Sequence, residues 1–164
     1  MKLPLEIPEF TLGKHYRQLP ATSTWRFILM RDVQIKVVGL SKHSIGLYDN
    51  NGGCWATVTP ICITIHKGYA WNGCSPKRCG FGRFWGTPDF VATRLASCVH
   101  DVMFQFAHVD YLDCTAYEAN SIFGEIIRLG GSPVWAIIYK EAVDRAVPFC
   151  YPIRATDVYS VIIK

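Results

Sequence analysis

What most constrains the fold of this chain is a change of period at Gly73. Before it the apolar residues alternate or gather in short β-branched runs; beyond a stretch dense in glycine and proline they recur at helical spacing. Trp25, Phe27 and Leu29 alternate with Arg26, Ile28 and Met30, while Gln34 to Leu40 and Thr57 to Ile65 are rich in β-branched residues. Both patterns predict strands. Asp49, Asn50, Asn51, Gly52 and Gly53 accept positive φ, so the segments on either side pair as an antiparallel hairpin. From Asp89 to His108 the positions Val91, Leu95, Cys98, Val102 and Phe106 form one helical stripe. Thr115 and Glu118 have the spacing of a capping box and open a second helix, which runs to Leu129 and stops at Gly130 and Gly131. Ser132 and Pro133 restart the chain as N-cap and first turn of a third helix, which carries Trp135, Ile138, Tyr139 and Val143 and ends before Pro148. Asp157 to Ile163 offers a last strand.

Strands first and three helices later, with no βαβ alternation, define an α+β class: an antiparallel β-sheet in the N-terminal half packed with three helices in the C-terminal half. Residues 1–164 read as a single domain, with 1–66 mostly strands, 67–88 a Gly-rich loop, 89–147 helices and 148–164 a tail. Apolar and aromatic residues make up 50% of the chain, enough for a core without metals or disulfides. Charged residues are 18%, below the roughly 25% usual in globular chains. That leaves an uncharged surface suited to a homo-oligomer. The net charge of +4 is spread without a basic stripe, so nucleic acid is disfavoured as a partner and a small anionic ligand is permitted. Seven cysteines without a C-x-x-C pair predict reduced thiols. The polar first ten residues and the lack of an apolar run of about 18 residues predict a cytoplasmic protein with no membrane span.

The residues with the most chemical potential are His100 and Asp101. On the first helix His100 has Ala96, Ser97, Met103 and Phe104 three and four positions away, which predicts a semi-buried ring. Asp101 leaves the helix about 100° round, nearer polar groups, so the two do not form a simple pair and each needs another partner. Imidazole alone titrates near neutrality unperturbed, which makes His100 a candidate general base, with Asp101 holding a divalent cation (calcium or magnesium) or a polar substrate group. Asn120 on the second helix has inward-facing neighbours, and a short connection makes the two helices antiparallel, so its amide is placed to fix the His100 tautomer. An amide holds the ring without offsetting an imidazolium charge as a carboxylate does. Upstream, Trp71, Asn72, Ser75, Lys77 and Arg83 in the Gly-rich stretch form a candidate ligand-binding lip suited to phosphate or carboxylate. Ser75 lacks the G-x-S-x-G elbow of a nucleophile. Cys74, Cys79, Cys98 and His100 do not have the spacing of a common zinc site.

Gly68 to Val147, about half the chain, resembles a phage and prophage family with a domain of unknown function. Its signature is a Trp-Asp-Gly-(Ala or Cys)-Ser-Pro loop, a His-Asp helix, and a later helix with an Ala-Asp step before Phe. Those blocks stand here as Trp71-Asn72-Gly73-Cys74-Ser75-Pro76-Lys77, then Gly86-Thr87-Pro88-Asp89, then Ser97-Cys98-Val99-His100-Asp101, then Ala119, Asn120 and Phe123. Asn72 and Asn120 depart from it, standing where the signature has Asp. A weaker likeness runs to the phospholipase A2 pattern, in which a Gly-rich calcium loop precedes a Cys-x-x-His-Asp helix; here Cys98 lies two residues before His100 in place of three, and Asn120 stands where that pattern has an Asp. The resemblance implies phage origin and hence the cytoplasm of an infected bacterium. Together the residues predict a polar pocket between the loop and the first two helices. It would serve a hydrolase of an ester or phosphodiester, a non-catalytic protein that captures a small anionic, nucleotide-like ligand or a host protein to counter host defence, or a virion structural or assembly component.

Overall fold

The computed structural model describes residues 4–74, 91–150 and 158–163. The elements run β1 (Pro4–Glu6), β2 (Tyr16–Gln18), β3 (Phe27–Leu29), β4 (Val33–Val37), β5 (Ile45–Asp49), β6 (Cys54–Val58), β7 (Cys62–Ile65), β8 (Ala70–Trp71), α1 (Val91–Gln105), α2 (Ala116–Leu129), α3 (Pro133–Cys150) and β9 (Val158–Ile162). The fold is α+β, but the strands form two antiparallel sheets. One has six strands in the order β1-β4-β7-β6-β5-β9, the other three in the order β2-β3-β8.

The large sheet is built by alternation. In β4, Val33, Ile35 and Val37 are buried and Gln34 and Lys36 exposed, so each inward side chain contributes about 1.5–3 kcal/mol of apolar burial while the outer face stays polar. The Asp49 to Gly53 turn joins β5 to β6 as the residue types require, with Gly52 at φ 79 and the Asp49 carboxylate accepting from the Asn51 and Gly53 amides. Thr57 to Ile65 is two strands, where the composition alone suggests one. Pro60 has no N–H for the ladder, and a turn closed by Thr59, whose N–H donates to the Cys62 carbonyl at 2.8 Å, separates β6 from β7. The tail returns as β9 and pairs with β5.

Inside the stretch that reads as loop, Ala70 and Trp71 form β8 on the edge of β3, with Trp71 opposite Phe27. Trp71 is fully buried among Phe10, Tyr16 and Phe27, with ring centroids 5.4–6.2 Å from its own. α1 stops at Gln105 and unwinds through Phe106 to Val109.

α2 has the capping its sequence dictates. The Thr115 hydroxyl accepts from the Glu118 amide at 3.2 Å, and the Glu118 carboxylate accepts from the Thr115 amide at 2.9 Å. At the other end the Gly130 N–H reaches the Ile126 carbonyl and Gly131 takes φ 88. α3 begins at Pro133 but runs to Cys150, past the Pro148 where it was expected to stop. A proline in a helix loses its N–H bond and crowds the carbonyl four residues back, and so near the end few turns remain to be disturbed. The inward faces of α1 and α2 share one core with the large sheet, and α3 lies outside α2, contributing Ala136 and Tyr139.

Candidate active site

Two glycines set the helix spacing on which the site depends. A Cβ on Gly130 would lie 2.5 Å from the Ala92 Cβ, so the end of α2 touches the start of α1. A Cβ on Gly124 would lie 3.2 Å from the Lys140 Cβ, so α3 also approaches α2 closely. Both pairs are antiparallel, and one turn from Gly124 the same faces bring Asn120 between His100 and Asp144.

Asn120 is fully buried. Its Nδ2 donates to Asp144 Oδ1 at 2.8 Å, and its Oδ1 lies 2.8 Å from His100 Nε2. Lys140, one turn before Asp144, donates to Asp144 Oδ2. The protonation pattern follows from what each group can do. An ionised carboxylate only accepts, so the Asn120 amide must point its NH2 at Asp144 and its carbonyl at His100. His100 Nε2 must then carry the proton, and in the neutral ring Nδ1 carries the lone pair. The Asp144 charge also polarises the amide that faces the ring.

The His100 ring is held flat on Phe104, with centroids 4.2 Å apart at 29°, and against Phe123 at 5.1 Å. Its side chain is 14% exposed, and Asp101 is 38% exposed, with Oδ1 3.9 Å from His100 Nδ1. That separation is too long for a hydrogen bond, as the helical phase of the two residues requires, yet short enough for Asp101 to attract a proton arriving on Nδ1. The Asp101 charge reaches the core as well. Burial first, and Asp101 second, push the Tyr69 phenol and the Cys98 thiol well above their ordinary values, so both stay protonated. Tyr69 donates to Gln105 Oε1 at 3.2 Å.

The other expected site residues fall differently. Trp71 belongs to the core and not to a binding lip: its Nε1 donates to Ser97 Oγ at 3.1 Å, and no surface remains for a ligand. Asn72 is half-buried, and Ser75, Lys77 and Arg83 lie outside the described residues. The Cys74 thiol donates to the Thr93 carbonyl at 3.2 Å, tying the end of the first described segment to the start of α1. Among the described residues no three His, Cys, Asp or Glu side chains converge as a metal site, so Asp101 offers a cation one carboxylate. Asp144 and Lys140 were missed by sequence reasoning. The usable signals were their i,i+4 spacing and the need of a buried amide for a second partner.

Fold and site together define an α+β protein with an imidazole, amide and carboxylate chain running across three antiparallel helices. In comparisons with protein-family models, curated proteins and solved structures, nothing matches this chain. Among the described residues no helix is long and apolar enough to cross a membrane.

Proposed function

We propose that this chain is a phage-encoded hydrolase that acts in the cytoplasm of an infected bacterium on an ester or phosphodiester, with His100 as general base. The observation that carries the reading is the fixed tautomer: Asn120, held by Asp144, makes Nε2 the donor and leaves Nδ1 as a base beside Asp101. Nδ1 takes a proton from water as the water oxygen bonds to the acyl carbon or phosphorus. The proton then passes to the departing alkoxide. Asp101 stabilises the imidazolium or holds a divalent cation on the substrate. Support for phage origin is the resemblance of residues 68–147 described above.

The test is turnover of p-nitrophenyl butyrate and bis(p-nitrophenyl) phosphate, with and without calcium or magnesium. His100→Gln is expected to lower turnover by about 100-fold or more while the chain still folds cooperatively. Parent-level turnover in that variant overturns the reading. A second reading, a non-catalytic binder of a small anionic ligand or a host protein, is supported by Asn120 standing against the imidazole where a carboxylate would offset its charge. It predicts a melting temperature raised by nucleotides, with no turnover that depends on His100.

A further inference from the structure

The outer face of the large sheet carries a second hydroxyl, imidazole and carboxylate line, built from residues far apart in sequence. The β4/β7 register places Asp32 beside His66, and the β6/β7 register places Thr57 one step diagonally from His66. The Lys67 backbone N–H donates to Asp32 Oδ1 at 2.8 Å, and His66 Nδ1 lies 3.0 Å from Asp32 Oδ2. His66 Nε2 lies 2.8 Å from Thr57 Oγ1. The Lys67 amide first, and His66 second, hold the Asp32 carboxyl below its ordinary range, so it accepts only. Nδ1 must therefore donate to Asp32, and in the neutral ring Nε2 accepts from the Thr57 hydroxyl. That is the proton order a base-activated nucleophile requires.

A hydrogen-bond donor stands on the neighbouring strand. Gly46 is the ladder partner of Thr57, and a Cβ there would lie 2.5 Å from Tyr48 Cε2 and 3.0 Å from its hydroxyl. The Tyr48 ring thus lies over Gly46, stacked on Tyr159 at 5.4 Å, with its phenol on the face of the sheet that Thr57 also occupies. Cys54 beside it, by its charge first and a side-chain hydrogen bond second, raises the phenol above its ordinary value. The His66 side chain is 28% exposed and Asp32 56%, so the line is open to solvent.

We propose that Thr57, His66 and Asp32, with the Tyr48 phenol beside them, form an acyl-accepting site that takes small activated esters onto Thr57 Oγ1. Oγ1 attacks the ester carbonyl carbon, forming the Oγ1–C bond as the C–O bond to the leaving group breaks. The Thr57 proton moves to His66 Nε2 and from there to the departing alkoxide or phenolate, while Asp32 holds the imidazolium and Tyr48 donates to the carbonyl oxygen. Water, activated by the same imidazole, returns the hydroxyl.

The experiment is incubation of the full chain with p-nitrophenyl acetate near neutral pH, with intact-mass and peptide-mapping readouts. The expected result is one acetyl group on Thr57 and a matching burst of p-nitrophenolate. Thr57→Val keeps the branched strand side chain and is expected to abolish the adduct. Thr57→Ser retains it, and His66→Gln and Asp32→Asn slow acylation by about 100-fold or more. Acetylation confined to lysines, or equal labelling of Thr57 in parent and His66→Gln, overturns the proposal. Because this site also turns over p-nitrophenyl esters, the helix site's ester assay is read in Thr57→Val, and His100→Gln must leave the Thr57 adduct unchanged, so either site can fail alone.

Discussion

Replacing Asn120 by leucine removes the link between His100 and α3 while keeping the number and branching of side-chain heavy atoms. Two hydrogen bonds are lost, both 2.8 Å long and both made by a side chain with no exposure. The bond to the His100 ring is of the neutral kind, worth about 0.5–1.5 kcal/mol, and the bond to the Asp144 carboxylate about 1.5–3 kcal/mol. Asp144 keeps Lys140 and is 21% exposed, so water replaces part of what it loses. The His100 ring is only 14% exposed and recovers less. Leucine returns about 1 kcal/mol of apolar burial, which leaves a net loss of about 1–3.5 kcal/mol. In urea, with a slope of about 2 kcal/mol per M, the midpoint falls by about 0.5–1.7 M at unchanged slope. Nitrogen NMR of the imidazole gives a second readout: the ring is expected to change from Nε2-protonated to a tautomer mixture. A loss below about 0.5 kcal/mol together with an unchanged ring spectrum refutes the idea that Asn120 holds the site together.

Three further outcomes follow from the same geometry. Asn120→Asp, which restores the carboxylate of the resembled signature, places a second carboxylate against Asp144; the like charges raise the folded-state titration of the pair. The variant is therefore expected to be less stable than the parent at neutral pH and to recover as pH falls, and a pH-independent difference in melting temperature contradicts this. Gly130→Ala meets the Ala92 Cβ, and since φ at Gly130 is −74 its backbone is unstrained; the overpacking costs about 1–3 kcal/mol in urea melts, and a neutral result shows that the start of α1 yields. Cys98 and Tyr69 are raised chiefly by burial, so the stability they confer is present below their unfolded values of 9.0 and 10.0 and is lost as pH rises beyond them. Melting temperature should fall steadily above about pH 9, and Cys98 should resist a thiol reagent until the chain unfolds; rapid native-state labelling of Cys98 sinks this reading.

Much of the secondary structure was legible because its causes are local. Thr115 and Glu118 cap α2 within one turn, Gly130 and Gly131 end it, Pro133 begins the next helix, and Asp49 to Gly53 closes a hairpin by its own conformational preferences. The division of Thr57 to Ile65 was legible in principle from Pro60. Trp71 was misread because the strand it belongs to is two residues long and exists only where β3 offers an edge.

Residue identity alone selected the α+β class, the ends of α2, and His100 and Asn120 as groups needing partners. Only the tertiary structure decided which partners they have. Asp144 reaches Asn120 because Gly124 lets α3 approach α2, and Thr57, His66 and Asp32 meet because the register of three strands aligns them. The physical reason is one of range. Capping and turn preferences act between neighbouring residues, whereas helix phase and strand register are set by how a whole core packs, which is why Ala70 and Trp71 become a strand.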